Sequence, residues 1–564
     1  MKKHILLFCL IFCYMTGLLI SRQNRTLSGT ILYDGSEQGP IRVHLYMLTA
    51  FSPEKPRPLS KRDIYGEQTP FRKLSLEKPG SYIFSGLPPA GYSILAFMDR
   101  NRDRRLDFFP CEPFGWYASQ PGGRWAVVDL RESDKQNLNF SLRLPVPFPE
   151  SAKQADHGKL RRMKGIPVLQ LWGNAEERGY AHGYLAGEQI LDFFEFYVLE
   201  DSWGSAERYE EIFIPFLKNR MRLPPEFLRE CRALIQGMKA SQIDMGVPSL
   251  GRAFSLYDLI AVNAYIERRA AFPVSAPSSC TQFAFWGFLT QDGPQEGGLI
   301  AARNMDGECD VRKVTVSHFL LFAVDPAEPG RKRWISAMWP GFVGTISGIN
   351  EDGLYSMENA GGTGPGPVVD EVVPCSWIQR YILETTGGEA DPYKILEGMA
   401  SFMCQGGGVT APGSIILWAL PFHGQKTPAF VYEGDRFGGV IRVPGEVRPF
   451  FPQTILASNH HKKYGFDPEQ PGHSLGRPVS FSSLWRYEAG QNQLEAWIRT
   501  GKKPGLSEAK QLLQLVSHGT TEYSVIFLAN QKRVLVAVDD LKTDMWDAPY
   551  LTWKEFSFEE LFER

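Results

Sequence analysis

The sequence predicts two pieces of different class: a small all-β sandwich over residues 26–145 and a larger α+β body over residues 166–564. Three observations carry this. Short period-two apolar runs, broken by Gly, Pro and Asp, fill the first piece. Apolar residues recur at helical spacing at both ends of the second piece. Between those helices, residues 280–460 are mostly short strands and Gly-rich turns, a segregation expected of an α+β domain.

The chain opens with "MKKHILLFCLIFCYMTGLLI", two lysines and then an uncharged run from Ile5 to Ile20. Residues 1–22 therefore read as a secretory signal peptide or a signal anchor. The expected location is outside the cytoplasm, periplasmic or anchored to the membrane. The run is slightly short for a full span, and "SRQNRT" offers no small-x-small cleavage site, so anchor and cleaved signal both stay open. The strands of the β-sandwich are "TLSGTILY", "IRVHLYML", "GSYIFSGL", "YSILAFMD", "RWAVVDL" and "LNFSLRL". The stretch "GSYIFSGLPPAGYSILAFMD", read as a hairpin, resembles the transthyretin-like or Cna-B-like accessory modules of secreted proteins. After it, Asp99, Asn101, Asp103 and Asp107 have the spacing of an oxygen-rich calcium loop. Such a loop wants Gly at its sixth position and a carboxylate at its twelfth. Arg104 and Pro110 stand there instead, so the stretch reads as a solvated turn laced with ion pairs.

Residues 146–165 mix prolines with charges and are read as a linker. The second piece then begins with a strand, "IPVLQLWG", and a helix, "AEERGYAHGYLAGEQILDFFEFYVLE"; another helix, "LSEAKQLLQLV", lies near the end. Lys plus Arg total 61 against 63 Asp plus Glu, which supplies none of the basic excess that nucleic acid requires and favours a small-molecule partner. Of eight cysteines, two lie in the leader. Cys111, Cys231, Cys280, Cys309, Cys375 and Cys404 are spaced too irregularly for a disulfide scaffold or a zinc pattern. Neighbouring strand residues such as His460 and His461 point to opposite faces. No metal and no cofactor is therefore expected.

Chemistry concentrates around "SAPSSCTQFAFWG", where Cys280 follows a small-residue loop and starts an apolar strand. Taken alone, Cys280 reads as a buried structural thiol. Other polar residues also sit in apolar strands: Arg303 and Asp306 in "GGLIAARNMDGECD", Asn359 in "GLYSMENAGG", and Asn459 in "QTILASNHHKKYG". An unpaired buried polar group costs about 1–3 kcal/mol, so each is expected to have a partner. A Cys nucleophile needs a base, a lowered pKa and donors for an oxyanion.

In this order, Cys-Thr, Arg-Asn-x-Asp, Asn-Glu-x-Gly-Leu and Ser-Asn-His resemble the N-terminal-nucleophile (Ntn) hydrolases that cut linear amides. The resemblance is to the acyl-CoA:6-aminopenicillanate acyltransferase family, with bile salt hydrolase and penicillin V acylase as cousins. It takes in "RGYAHGYLAGEQI" and "SLYDLIAVNAY" and covers roughly residues 165–545. It implies a four-layer αββα sandwich and autocleavage between Ser279 and Cys280, the two resulting chains staying associated. The new α-amine, with an ordinary pKa of about 7.7–8.0, would then serve as base. Asp306 would hold that amine as ammonium, and Arg303 would lower the thiol pKa and help hold substrate. Asn459 would be an oxyanion donor, and Asn359 a second one lying one residue out of register. The sequence departs from the family at Ser279, where some relatives have Gly, and at Gly307, which replaces an aromatic residue. A later arginine of the bile salt hydrolases has no match in "YSVIFLANQKRVLVAVDD".

The expected function is a self-cleaving cysteine amidohydrolase acting on a linear, non-peptide C–N amide of an acylated small molecule or acyl-amino acid. Three alternatives stay open: an acyltransferase of the same family, a papain-like protease pairing Cys280 with His460 or His518, and a non-catalytic secreted binding protein. Phe283, Phe285, Trp286, Trp339 and Phe342 are candidates either for an acyl pocket or for sheet core.

Overall fold

The computed structural model describes residues 24–48, 69–107, 111–123, 125–271, 279–307, 311–362, 371–389, 391–465, 469, 473–475, 477–540 and 547–564. The N-terminal apolar run, Pro110, Cys309 and residues 275–278 lie outside these. Among the described residues, no helix is long and apolar enough to cross a membrane. The chain divides into two compact units, 1–145 and 146–564.

In the first unit, Arg25–Leu32 pairs antiparallel with Ser81–Leu87 and parallel with Phe140–Ser141. A second sheet runs Arg72–Leu76, Ile41–Met47, Gly91–Met98, Phe114–Trp116. Alternate residues of both sheets, among them Leu27, Ile31, Val43, Leu45, Phe84 and Ile94, share one apolar core, as strand periodicity requires. The stretch read as a hairpin is not one. Ser81–Leu87 and Gly91–Met98 belong to different sheets, so the Leu-Pro-Pro-Ala turn carries the chain across the core. At the acidic turn, Asp99 is buried against Arg42 at 2.6 Å and accepts the Arg104 N–H. Glu112 accepts the N–H groups of Arg100 and Asp107, and burial raises its pKa to about 7.

The second unit holds two large sheets. The order of the ten-stranded sheet is Gly438–Arg442, Ala429–Asp435, Ser414–Ala419, Tyr355–Ala360, Ser347–Asn350, Trp334–Met338, Leu320–Pro326, Ile166–Gly173, Gly158–Met163, Lys153–Ala155. One of its pairings is parallel, that of Ile166–Gly173 with Leu320–Pro326. The six-stranded sheet runs Thr454–Ala457, Ser279–Phe285, Ile300–Asp306, Thr521–Leu528, Arg533–Val538, Lys554–Ser557. The linker expected over 146–165 is corrected, because Lys153–Ala155 and Gly158–Met163 within it are the last two strands of the larger sheet. Basic residues disguised an alternation that buries Gly158 and Leu160 and leaves Lys159 and Arg161 half-buried.

The six-stranded sheet buries both faces. One face contributes Ala284, Ala301, Met305, Val525 and Phe527 to a core shared with Ile349, Tyr355, Met357 and Ile415 of the larger sheet. The other contributes Phe283, Phe285, Ile300, Ala302 and Ile526 to a core with Leu494, Trp497, Leu512 and Leu513. Those partners lie on helices Phe481–Thr500 and Leu506–Leu515. Helix Ala175–Asp192 starts at a capping box of Asn174 and Glu177 and runs on as a π-helix over Phe193–Trp203. The glycines of "RGYAHGYLAG" let this helix touch Pro225–Ala240: a Cβ on Gly183 would stand 1.9 Å from the Leu234 carbonyl oxygen, and one on Gly179 would stand 2.2 Å from that of Glu230.

Candidate active site

Cys280 is the second residue of Ser279–Phe285, with Ile300–Asp306 on one side and Thr454–Ala457 on the other. Strand alternation sorts its neighbours. Cys280, Gln282 and Ala284 face the ten-stranded sheet, where Gln282 Nε2 donates to the Ile415 carbonyl at 2.9 Å. Phe283 and Phe285 face the helices on the opposite side, so they belong to sheet core and cannot border the thiol. Trp339 and Phe342 lie in an aromatic cluster with Phe193, Tyr265 and Tyr523.

The register sets Ser279 opposite Asp306, Cys280 opposite Met305 and Gln282 opposite Arg303. Arg303 thereby shares the face of Cys280, and its Nη2 lies 3.5 Å from Sγ. Its Nη1 donates to the Ile346 carbonyl at 2.7 Å and to the Ser347 hydroxyl. Sγ is also 3.7 Å from the Asp306 carbonyl oxygen and 3.8 Å from Met305 Sδ. The backbone nitrogen of Cys280 donates to Asn459 Oδ1 at 2.7 Å. Asn459 Nδ2 in turn donates to the Ala360 carbonyl at 2.9 Å. Asn359 Nδ2 donates to the carbonyls of Cys280, Ala457 and Ser458 at 3.1–3.3 Å. Asp306 Oδ1 accepts the Thr521 hydroxyl, while Oδ2 has no hydrogen-bond partner among the described residues.

Cys280, Arg303, Asp306, Asn359, Asn459 and Ser279 are thus brought together from three strands and the loop after a fourth. Burial outweighs the neighbouring charges in the electrostatics of the uncut chain. Burial raises the Cys280 pKa, and the downward pull of Arg303 does not offset it, so in the uncut chain the side chain is a neutral thiol. Burial also raises the Asp306 pKa to about 7, against the pull of Arg486 and the Thr521 hydrogen bond.

One residue of the site escaped the sequence reading. Arg486, on Phe481–Thr500, donates from Nη1 to the Cys280 carbonyl at 2.5 Å and to Thr281 Oγ1 at 2.7 Å, and from Nη2 to Asn459 Oδ1 at 2.9 Å. A signal was present. Ser483, Arg486, Tyr487, Gly490 and Leu494 are buried at helical spacing, so the arginine occupies an apolar-face position.

The papain-like pairing does not form. His460 Nδ1 lies 3.1 Å from Ser458 Oγ and 2.8 Å from Ser483 Oγ, and His518 Nδ1 lies 2.9 Å from Thr520 Oγ1. Burial lowers the His460 pKa to about 3. No described group of His, Cys, Asp and Glu could hold a metal. Cys231, Cys280 and Cys375 are free thiols.

No protein-family model matches the chain, and no curated protein matches it. Some solved structures superpose on part of it. An N-acylethanolamine-hydrolysing acid amidase ortholog of Caenorhabditis elegans matches at 12% identity and TM-score 0.31, over 44% of this chain and 93% of that one. A variant of the conjugated bile acid hydrolase of Clostridium perfringens matches at 10% and 0.32, over 50% and 94%. Penicillin V acylase of Agrobacterium tumefaciens matches at 13% and 0.29, over 46% and 83%. Superpositions this loose carry no argument of their own; the weight rests on the geometry around Cys280.

Proposed function

We propose that this protein is a self-cleaving cysteine amidohydrolase of the N-terminal-nucleophile kind, acting on the linear amide of an acylated small molecule. The observation that carries the reading is the grip on the nitrogen of Cys280. Asn459 Oδ1 holds it at 2.7 Å, beside a thiol that Arg303 touches and no histidine does. A histidine-free thiol site needs another base, and the amine that cleavage would create lies at that nitrogen.

The steps balance as follows. Cys280 Sγ attacks the Ser279 carbonyl carbon, the bond to the Cys280 nitrogen breaks, and the nitrogen takes the thiol proton. Water then hydrolyses the thioester, giving a Ser279 carboxylate, a free thiol and a free α-amine. In trans, the amine takes the thiol proton as Sγ attacks the substrate amide carbon, and passes it to the departing amine. Water releases the acid from the acyl-enzyme. Asp306, opposite Ser279 in the ladder, would hold the ammonium, which favours the ionised carboxylate once the bond is cut. Arg303 would steady the thiolate, while Asn359 and Asn459 would serve the oxyanion after giving up part of their present bonds.

The reading includes the four-layer αββα arrangement, supported by the two apolar cores on either face of the six-stranded sheet. It also includes association of the two cut chains, supported by pairing of Ile166–Gly173 with Leu320–Pro326. Export guided by residues 1–22 would separate the enzyme from acyl-CoA and favours water over acyl transfer. A reporter fused after Arg564 that is active only inside the cell would overturn that part.

The test is a denaturing gel of purified protein with N-terminal sequencing. Two pieces are expected, the second beginning Cys-Thr-Gln, with Cys280→Ala staying whole. An intact wild type that hydrolyses amides would defeat the mechanism.

A further inference from the structure

Two arginines lie beside the site with donors unspent. Arg268 and Arg269 open the short helix Arg268–Ala271 and are half-buried. Among the described residues neither forms an ion pair. The buried atoms Arg268 Nε, Arg268 Nη1 and Arg269 Nη1 have no hydrogen-bond partner. Arg269 Nη2 donates to the Gly361 carbonyl at 3.2 Å. That contact fixes its place. The preceding carbonyl, of Ala360, accepts from Asn459, whose Oδ1 holds the Cys280 nitrogen.

Glu267 and Glu358 make their hydrogen bonds with other residues. Glu267 Oε1 accepts the Cys375 N–H at 2.8 Å, and Glu358 accepts from Ser414 Oγ at 2.7 Å and Gln379 Nε2 at 2.9 Å. Burial and the adjacent Arg268 charge lower the Arg269 pKa to about 10, against the upward pull of Glu358 and, more weakly, of Cys280. Two like charges side by side, with donors unspent in a half-buried place, are unfavourable until an anion arrives. A guanidinium fork matches a carboxylate in two parallel hydrogen bonds.

We propose that Arg268 and Arg269 form a binding site for a carboxylate carried by the amide substrate, making the preferred substrate class N-acyl amino acids rather than neutral N-acyl amines. The proposal rests on the amidohydrolase reading. It adds residues upstream of the cut, so the first chain would supply specificity and the second the nucleophile.

The test uses the purified full chain and two small alkylating probes of the Cys280 thiol, anionic iodoacetate and neutral iodoacetamide. The ratio of their rates is compared between wild type and Arg268→Gln/Arg269→Gln, with the mass of each piece recorded. Removing two steering charges should lower the iodoacetate-to-iodoacetamide ratio about tenfold. On the self-cut enzyme, the kcat/KM ratio for an N-acylglycine over the matching N-acylglycinamide should fall likewise, mainly through KM, and Arg269→Lys should restore part of it. An unchanged ratio with either pair overturns the proposal, because the arginines would then serve another anion, such as the new Ser279 carboxylate. Failure of the amidohydrolase reading is read separately, as a chain that is never cut before Cys280.

Discussion

The cluster around Arg178 and Arg380 and the cluster around Cys280 are both buried and polar, yet charge is balanced in one and left open in the other. Arg380 meets Glu230 at 2.8 Å and Glu384 at 2.7 Å, and Arg178 meets Glu230 at 3.4 Å and Glu328 at 2.7 Å. The Arg380 guanidinium also lies over the Trp377 ring at 4.8 Å. These pairs lock helices Ala175–Asp192, Pro225–Ala240 and Cys375–Thr385 together. Around Cys280 the arrangement is the reverse. Among the described residues Arg303, Asp306 and Arg486 form no ion pair, an Asp306 oxygen stays unpartnered, and the Asp306 carboxyl is pushed to about 7. Structural clusters settle their charges; a site that must accept a new ammonium and a substrate keeps some unsettled.

That contrast can be broken at both ends. The largest effect is expected from Cys280→Ala, which should abolish the cut and all amidase activity while leaving the melting temperature near that of the uncut chain; activity in this variant would remove Cys280 from the mechanism. Next, Arg380→Met leaves Glu230 and Glu384 buried without their shared partner and should cost about 3–5 kcal/mol in denaturant unfolding, the folded fraction still being cut before Cys280. A small loss would mean that the network relaxes. Asn459→Ala removes the acceptor from the Cys280 nitrogen and should slow the cut about 10²–10³-fold in a timed gel, with a smaller loss of stability.

The smallest effect is one of pH, best read in the uncut Cys280→Ala background. Near pH 4 the Asp306 carboxyl is protonated in the fold, whereas an unfolded Asp ionises around 3.9. As pH rises from there toward 7, the unfolded chain loses its proton first, and the fold loses stability. Adding Asp306→Asn removes this loss, so its advantage in melting temperature should grow between pH 4 and 7 and then level off. A constant difference would show that Asp306 is already ionised in the fold.

Much of the site was legible because a polar residue inside an apolar strand is costly and so stands out. Arg303, Asp306, Asn359 and Asn459 were found in this way, and each makes hydrogen bonds at the site. Arg486 was missed because a long arginine on a mostly polar helix looks like an ordinary surface residue until the helix is known to turn that face inward. The strands at 153–163 were missed for a related reason, since basic residues at a sheet edge are read as a linker when the neighbouring strand is unknown. The hairpin in the first unit failed because two adjacent strands say nothing about whether they pair with each other.

The sequence by itself determined the local periods, the apolar runs and the handful of polar residues that could not be buried alone. Tertiary structure decided which face of Ser279–Phe285 the thiol takes, separating Cys280 from Phe283 and Phe285. It also brought Arg486, 206 residues further along, onto the Cys280 carbonyl, and set Asn459 on the Cys280 nitrogen. The physical reason is range: alternation and helix spacing are fixed between neighbours in the chain, whereas partners for buried charge and hydrogen bonds are chosen between segments that meet once the sheets have packed.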